Sequence, residues 1–149
     1  MRVVLQRVTR AAVSWDSGGA EIGVGLLILV GVGPSDDEEV AQRLAEKVAQ
    51  IRIFEDSAGK ANLSLEDVSG AALVVSQFTL YADVSRGRRP GFTGAAAAEM
   101  ADRLYRHFAS ALAGRGIAVR TGSFGEEMDV ELVNHGPFTV VIDTDNLTR

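Results

Sequence analysis

Two short segments hold side chains that could act on a substrate. The first is Ser76-Gln77-Phe78-Thr79-Leu80, where two hydroxyls and an amide follow the apolar residues 71–75. Buried polar groups need partners, so this segment is either a strand end meeting solvent or a place where polar atoms face a ligand. A serine or threonine becomes a nucleophile only beside a base. No nearby histidine or suitably spaced lysine supplies one, which leaves a Ser-His-Asp arrangement unsupported. Read as a strand, the segment puts Ser76 and Phe78 on one face and Gln77 and Thr79 on the other, because side chains alternate.

The second segment is Asn134-His135-Gly136-Pro137-Phe138-Thr139, embedded in β-branched and apolar residues. Proline cannot donate to a strand ladder and glycine weakens one, so the pair is out of place in an ordinary central strand. His135 beside it has the chemistry of a general base, but an unsupported histidine is more often structural or exposed, and that is the reading adopted for it. His107 falls on a helical stretch and reads as a surface or packing residue. Arg86, Arg88 and Arg89 offer planar forks that match phosphate oxygens; the plain alternative is a solvated charged loop. Lys60 and Asn62 carry the same ambiguity. The glycines of residues 23–33 fit neither a dinucleotide fingerprint nor a P-loop.

Behind these segments stands a chain of 149 residues, enough for one domain, 1–149, with a sizeable core. The absence of cysteine excludes disulfides and thiolate sites, and two histidines make a multi-histidine metal centre improbable. Residues 1–10 lack the apolar core of a signal peptide, and the longest apolar run is too short to cross a bilayer, pointing to the cytoplasm. A net charge of −5 argues against a protein that wraps a long nucleic acid. Only a local contact, such as a chain end, fits that balance.

The elements that must position these residues follow from pattern. Residues 2–15 read as one strand or two joined by a bend, residues 17–23 as a turn, and residues 24–33 as a buried strand. Ser35 with Glu38 matches a capping box, opening a helix whose inward face is Val40, Leu44, Val48 and Ile51 with Ala41 and Ala45. Residues 55–70 read as loop and residues 71–83 as a strand. A second helix is expected over residues 95–113, with Leu104, Phe108 and Leu112 on one face and Gly114 and Gly116 at its end. Two further strands flank Gly136-Pro137. Many strands with two main helices, grouped rather than alternating, predict an α+β fold around a mainly antiparallel sheet.

Taken in order, Gln6-Arg7-Val8, "SQFTL" at 76–80, "RGRRPGF" at 86–92 and "TGSFGEEMDVELVNHGPFT" at 121–139 resemble the D-aminoacyl-tRNA deacylase family over essentially the whole chain. Its Ser-Gln-x-Thr and Asn-x-Gly-Pro-x-Thr segments are both intact. The resemblance implies a barrel-like core and a cytoplasmic homodimer that hydrolyses the ester joining a D-amino acid to the 3′ adenosine of tRNA, with no cofactor and no metal. It implies that Ser76, Gln77, Phe78 and Thr79 line the pocket. A cis Gly136-Pro137 peptide, flanked by Asn134 and Thr139 and braced by Arg7, would enter the partner subunit's active site. Phe124 and Met128 would lie on the adenosine side.

Several consequences follow from that resemblance. A rigid backbone gate selects by excluding a side chain, so it should also admit glycyl-tRNA, including glycine mischarged on tRNA(Ala). Aminoacyl esters are already activated, so positioned water and an oxyanion site at the Phe78 and Thr79 N–H groups can suffice. The resemblance implies assistance from the ribose 2′-hydroxyl, with Thr79 as acyl-enzyme nucleophile the mechanistic rival. A sister class that edits L-alanine departs at both motifs, and Ser76-Gln77 with Gly136-Pro137 favours the D-specific type. The alternative from another class is a non-catalytic nucleic-acid-binding module on the same fold.

Overall fold

The computed structural model describes residues 1–148. Its hub is β1 (Arg2–Trp15), a single strand rather than two. Along one edge β1 pairs antiparallel with β3 (Gly25–Gly31) and then with β2 (Gly18–Ile22); along the other it pairs antiparallel with β8 (Asp129–Asp143). β6 (Ala71–Ser76) joins β3 in parallel, and β7 (Ala118–Thr121) joins β6 in parallel. The sheet is therefore mixed, with the order β2-β1-β3-β6-β7. Its curvature brings β2 against β6 and β7, so the barrel is nearly closed. Two short strands, β4 (Phe54–Glu55) and β5 (Ala61–Leu63), form a separate small hairpin.

Helices α1 (Glu38–Gln50) and α2 (Ala98–Gly114) pack together over one face of this sheet. The continuous apolar runs of β3 and β6 follow from burial on both faces. Leu26, Ile28, Ala72 and Val74 meet the helices, whereas Leu27, Leu73 and Val75 join Val8, Ala11 and Val13 in a second cluster inside the curl. On α2, Leu104, Phe108 and Leu112 are buried as the periodicity requires, and Gly116 beyond its end sits at φ +84°.

Several boundaries differ from those read in the sequence. Residues 18–22, expected as a turn, form the second strand of a hairpin with β1. The cap of α1 is Asp37, whose carboxylate accepts from Val40 N–H at 2.8 Å, rather than Ser35. Asp36 is turned inward instead, holding Gly33 N–H and the Met1 α-ammonium, each at 2.6 Å. Helix α2 begins at Ala98 because Ala96 N–H is held by Val32 O at 2.9 Å, keeping residues before the helix extended.

Two differences bear on the site. β6 stops at Ser76, and Phe78–Tyr81 form a 3-10 turn, so strand alternation does not set the faces of Gln77 to Thr79. The turn packs on Gly31, where a Cβ would meet Leu80 Cβ at 3.1 Å and Gln77 O at 3.2 Å. The chain around Gly136-Pro137 is one strand, β8, rather than two. Here Gln6 pairs with Thr139 and Val8 with Asn134, so residues 135–138 bulge opposite the single residue Arg7. No cis peptide occurs among the described residues, so Gly136–Pro137 is trans, correcting the cis bond implied by the resemblance. The change of direction is made instead by Gly136 at φ +115°, a region open to glycine.

Candidate active site

The parallel junction of β3 and β6 ends at a cavity of about 560 Å³, within the range of small-molecule sites. Ser76, Gln77 and Phe78 line it where β6 passes into the 3-10 turn, and Phe124, Gly125, Glu126 and Met128 line it from the segment after β7. Val30 and Val75 supply apolar wall from the sheet, and Val32 adds to it just past the end of β3. Phe92 stands edge-on to Phe78, with ring centroids 4.9 Å apart. The sequence therefore brings Ser76, Gln77, Phe78, Phe124 and Met128 to one place. Thr79 is not among the lining residues; it is exposed, and its Oγ1 takes a hydrogen bond from Gln77 Nε2.

The polar groups available to chemistry are few. They are the Ser76 hydroxyl, the Gln77 amide and the Glu126 carboxylate, with no histidine, lysine or arginine in the lining. Gln77 N–H donates to Val30 O at 2.7 Å, and the 3-10 turn's own bonding begins with Leu80 N–H to Gln77 O at 3.2 Å. The Phe78 and Thr79 N–H groups fall in the first turn, outside that internal bonding. Phe124 is positioned by the turn closed by Glu126 N–H to Ser123 O at 3.3 Å, with Gly125 at φ +80°. Tyr105 of α2 backs this wall, its ring 6.1 Å from Phe124 and its hydroxyl donating to Val74 O at 3.0 Å. Burial raises the Tyr105 phenol above its ordinary value.

The Gly136-Pro137 bulge lies elsewhere on the same chain. Gly136 and Pro137 are exposed and do not line this cavity. Arg7, only 4% exposed, fills the base of the bulge. Its Nε donates to His135 O at 3.1 Å, its Nη1 to Ile53 O at 2.7 Å, and its guanidinium stacks 5.2 Å from the Phe138 ring centroid. Asn134 Nδ2 donates to both Arg7 O and Phe138 O at 3.0 Å, tying the two ends of the bulge together. Thr139 accepts from Gln6 Nε2 at 3.3 Å. Within one chain the marked residues thus form two assemblies, a cavity and a braced protrusion.

The model of the family described as D-Tyr-tRNA(Tyr) deacylase matches residues 4–143. The chain belongs to that family. Among deacylase-family relatives named D-aminoacyl-tRNA deacylase, the one from Chloroflexus aurantiacus is 58% identical over 149 residues, 99% of this chain and 92% of its own. That from Thermomicrobium roseum is 55% identical over 148 residues, 99% and 96% of the two chains. The one from Deinococcus radiodurans is 52% identical over 144 residues, 96% and 99%. Among solved structures, a c-Myc DNA unwinding element binding protein superposes with a TM-score of 0.88 at 34% identity, covering 96% of this chain and 98% of that one. A probable eukaryotic D-amino acid tRNA deacylase gives 0.85 at 19% identity, over 95% and 97%, a likeness of fold.

Sequence reasoning passed over Phe92, Glu126 and the small residues Ala95, Ala96 and Ala98 of the cavity. The alanine run 95–98 carried a usable signal, since consecutive small side chains before a helix leave room against it. His135 contributes its backbone oxygen rather than its ring, and His107 is half-buried on α2. Lys60 is exposed, and Asn62 is tied to Asp56 and Arg52.

Proposed function

We propose that this protein hydrolyses the ester of D-aminoacyl-tRNA, releasing the D-amino acid and tRNA. The observation that carries this reading is the family match across residues 4–143 together with a cavity bounded by Ser76, Gln77, Phe78, Phe124 and Met128. The cavity seats the aminoacyl-adenosine end, with Phe124 and Met128 toward the adenosine. The Phe78 and Thr79 N–H groups receive the developing oxyanion, where fixed donors act most strongly. A water attacks the activated ester. The ribose 2′-hydroxyl takes the assisting role, because no base stands beside Ser76 or Thr79.

Chirality is read, in this proposal, across a dimer. The Gly136-Pro137 bulge is exposed and does not line the cavity of its own chain. In a homodimer the partner's Gly136 and Pro137 close it, presenting backbone where an L side chain would need space. Support for association comes from β8, which among the described residues pairs only with β1 and leaves Val133 and Val141 exposed on a long edge strand. Glycyl-tRNA, including tRNA(Ala) mischarged with glycine, passes the same gate because glycine has no side chain to exclude. Among the described residues no helix is long and apolar enough to cross a membrane, and the proposed setting is the cytoplasm.

Deacylation of D-Tyr-tRNA, L-Tyr-tRNA and Gly-tRNA side by side tests the reading. Hydrolysis of the D and glycyl esters with the L ester spared is expected. Equal D and L rates would remove the chiral gate, and no hydrolysis of any would favour a binding module without chemistry. Sedimentation at micromolar concentration should report a dimer; a monomer fully active on D-Tyr-tRNA would remove the shared site.

A further inference from the structure

Residues 83–91 form a loop that leaves the cavity wall and returns to it. Asp83 and Gly91 close its neck with two backbone hydrogen bonds, both 2.8 Å, and Asp83 Oδ1 also accepts from Ser85 N–H at 2.9 Å. The strand of chain entering the neck comes from Phe78–Tyr81, and the chain leaving it is Phe92, so both feet stand beside the cavity. Arg86, Arg88 and Arg89 are exposed on this loop. Among the described residues, Arg2, Arg7, Arg103, Arg106 and Arg115 are paired with carboxylates, whereas these three are not.

Another stretch of the same rim has the opposite sign. Glu126 and Met128 line both the cavity and an adjoining open cleft that also carries Asp16, Glu127 and Asp129. A polyanion approaching a protein of net charge −5 therefore meets attraction at the arginine loop and repulsion beside Glu126. A terminal nucleoside esterified on its ribose carries a phosphate only on its 5′ side, so the chain must leave the cavity in one direction.

Building on the proposed activity, we propose that Arg86, Arg88 and Arg89 hold the phosphodiester groups immediately preceding the terminal nucleoside, fixing the direction in which the RNA end enters. Arginine forks match phosphate oxygens two at a time. Contacts of this kind carry no base preference and depend strongly on salt.

The test compares D-tyrosyl-adenosine, which has no phosphate, with D-Tyr-tRNA for the wild type and for R86Q/R88Q/R89Q. Three phosphate contacts predict that wild-type kcat/KM on D-Tyr-tRNA falls about twentyfold between 50 and 200 mM salt, from the single-strand slope per phosphate. The glutamine variant should lose most of that dependence, and its ratio of tRNA to nucleoside kcat/KM should fall at least tenfold at low salt. R86K/R88K/R89K should retain the salt dependence. A glutamine variant with the wild-type salt slope, an equal loss on both substrates, or a lysine variant behaving like the glutamine one would overturn the proposal. Should the wild type hydrolyse neither ester, the proposed activity fails, and the loop is judged by fluorescence anisotropy with an uncharged CCA-ended RNA minihelix. Salt-sensitive binding lost in the glutamine variant upholds the loop; equal binding by both proteins sinks it.

Discussion

Arg7 Nη2 lies so close to the α-carbon of Gly136 that a Cβ added there would clash with it. One residue is the buried base of the bulge and the other its apex, so their fit fixes the protrusion's shape. Gly136→Ala meets both this obstruction and a φ of +115°, a strain of roughly 1–3 kcal/mol. Loss of stability by about that amount in urea melts is expected, along with weakened preference for D-Tyr-tRNA over L-Tyr-tRNA. Arg7→Ala relieves the obstruction but strands the Ile53 and His135 carbonyls, costing about 2–3 kcal/mol. Unaltered stability and chiral preference in both variants would show that the fit has no consequence.

Thr79→Ala should keep most activity. The hydroxyl is exposed, accepts from Gln77, and has no base beside it, so its loss removes no nucleophile. Single-turnover hydrolysis of D-Tyr-tRNA within about tenfold of wild type is expected. A fall of about 10⁴-fold would match the loss of a nucleophilic residue and reverse the assignment.

Phe78 is 53% exposed yet forms cavity wall against Phe92. Phe78→Ala should shift stability by less than about 1 kcal/mol, as for a surface site. Substrate positioning is expected to suffer more, with kcat/KM on D-Tyr-tRNA down by about ten- to a hundredfold. Thermal melts beside kinetics separate the two effects, and a large drop in melting temperature with normal kinetics would contradict both.

Alkaline pH should loosen the wall behind Phe124. The Tyr105 phenol is held protonated by burial, so its folded value lies above the unfolded value of about 10. A raised folded value contributes stability that is complete below pH 10 and is lost as pH rises through the folded value. Tyr105→Phe should cost about 0.5–1.5 kcal/mol at neutral pH, since Val74 O still accepts from Gly122 N–H. Its stability should then decline less steeply than wild type above pH 10, measured by urea midpoints. Identical slopes would place the alkaline loss elsewhere.

What was legible in the sequence depended on how local its cause is. The inward face of α2 followed from the spacing of Leu104, Phe108 and Leu112, because helical periodicity is set within a few turns. The cap of α1 was misplaced by two residues, because Ser35, Asp36 and Asp37 are all competent and tertiary partners chose among them. Asp36 was claimed by Gly33 and Met1, leaving Asp37 to cap. The end of β6 was missed for a similar reason: the 3-10 turn depends on room above Gly31, some fifty residues earlier. The motifs marked Ser76 to Phe78, Phe124 and Met128, which the fold gathers at one cavity, whereas the bulge opposite Arg7 depends on a register with β1 that no local pattern shows.

The bulge opposite Arg7 separates β8 into two ladders that are anchored independently, Asp129 to Asn134 on one side and Thr139 to Asp143 on the other. Elsewhere in a sheet, adding or removing one residue turns every following side chain to the wrong face. Here each ladder takes its alignment from β1 rather than from the other, while the Arg7 and Asn134 bonds set the path of residues 135–138 between them. Barrel and protrusion are thus held by separate sets of bonds, so a change confined to residues 135–138 is expected to alter the protrusion before it alters the alignment of the barrel.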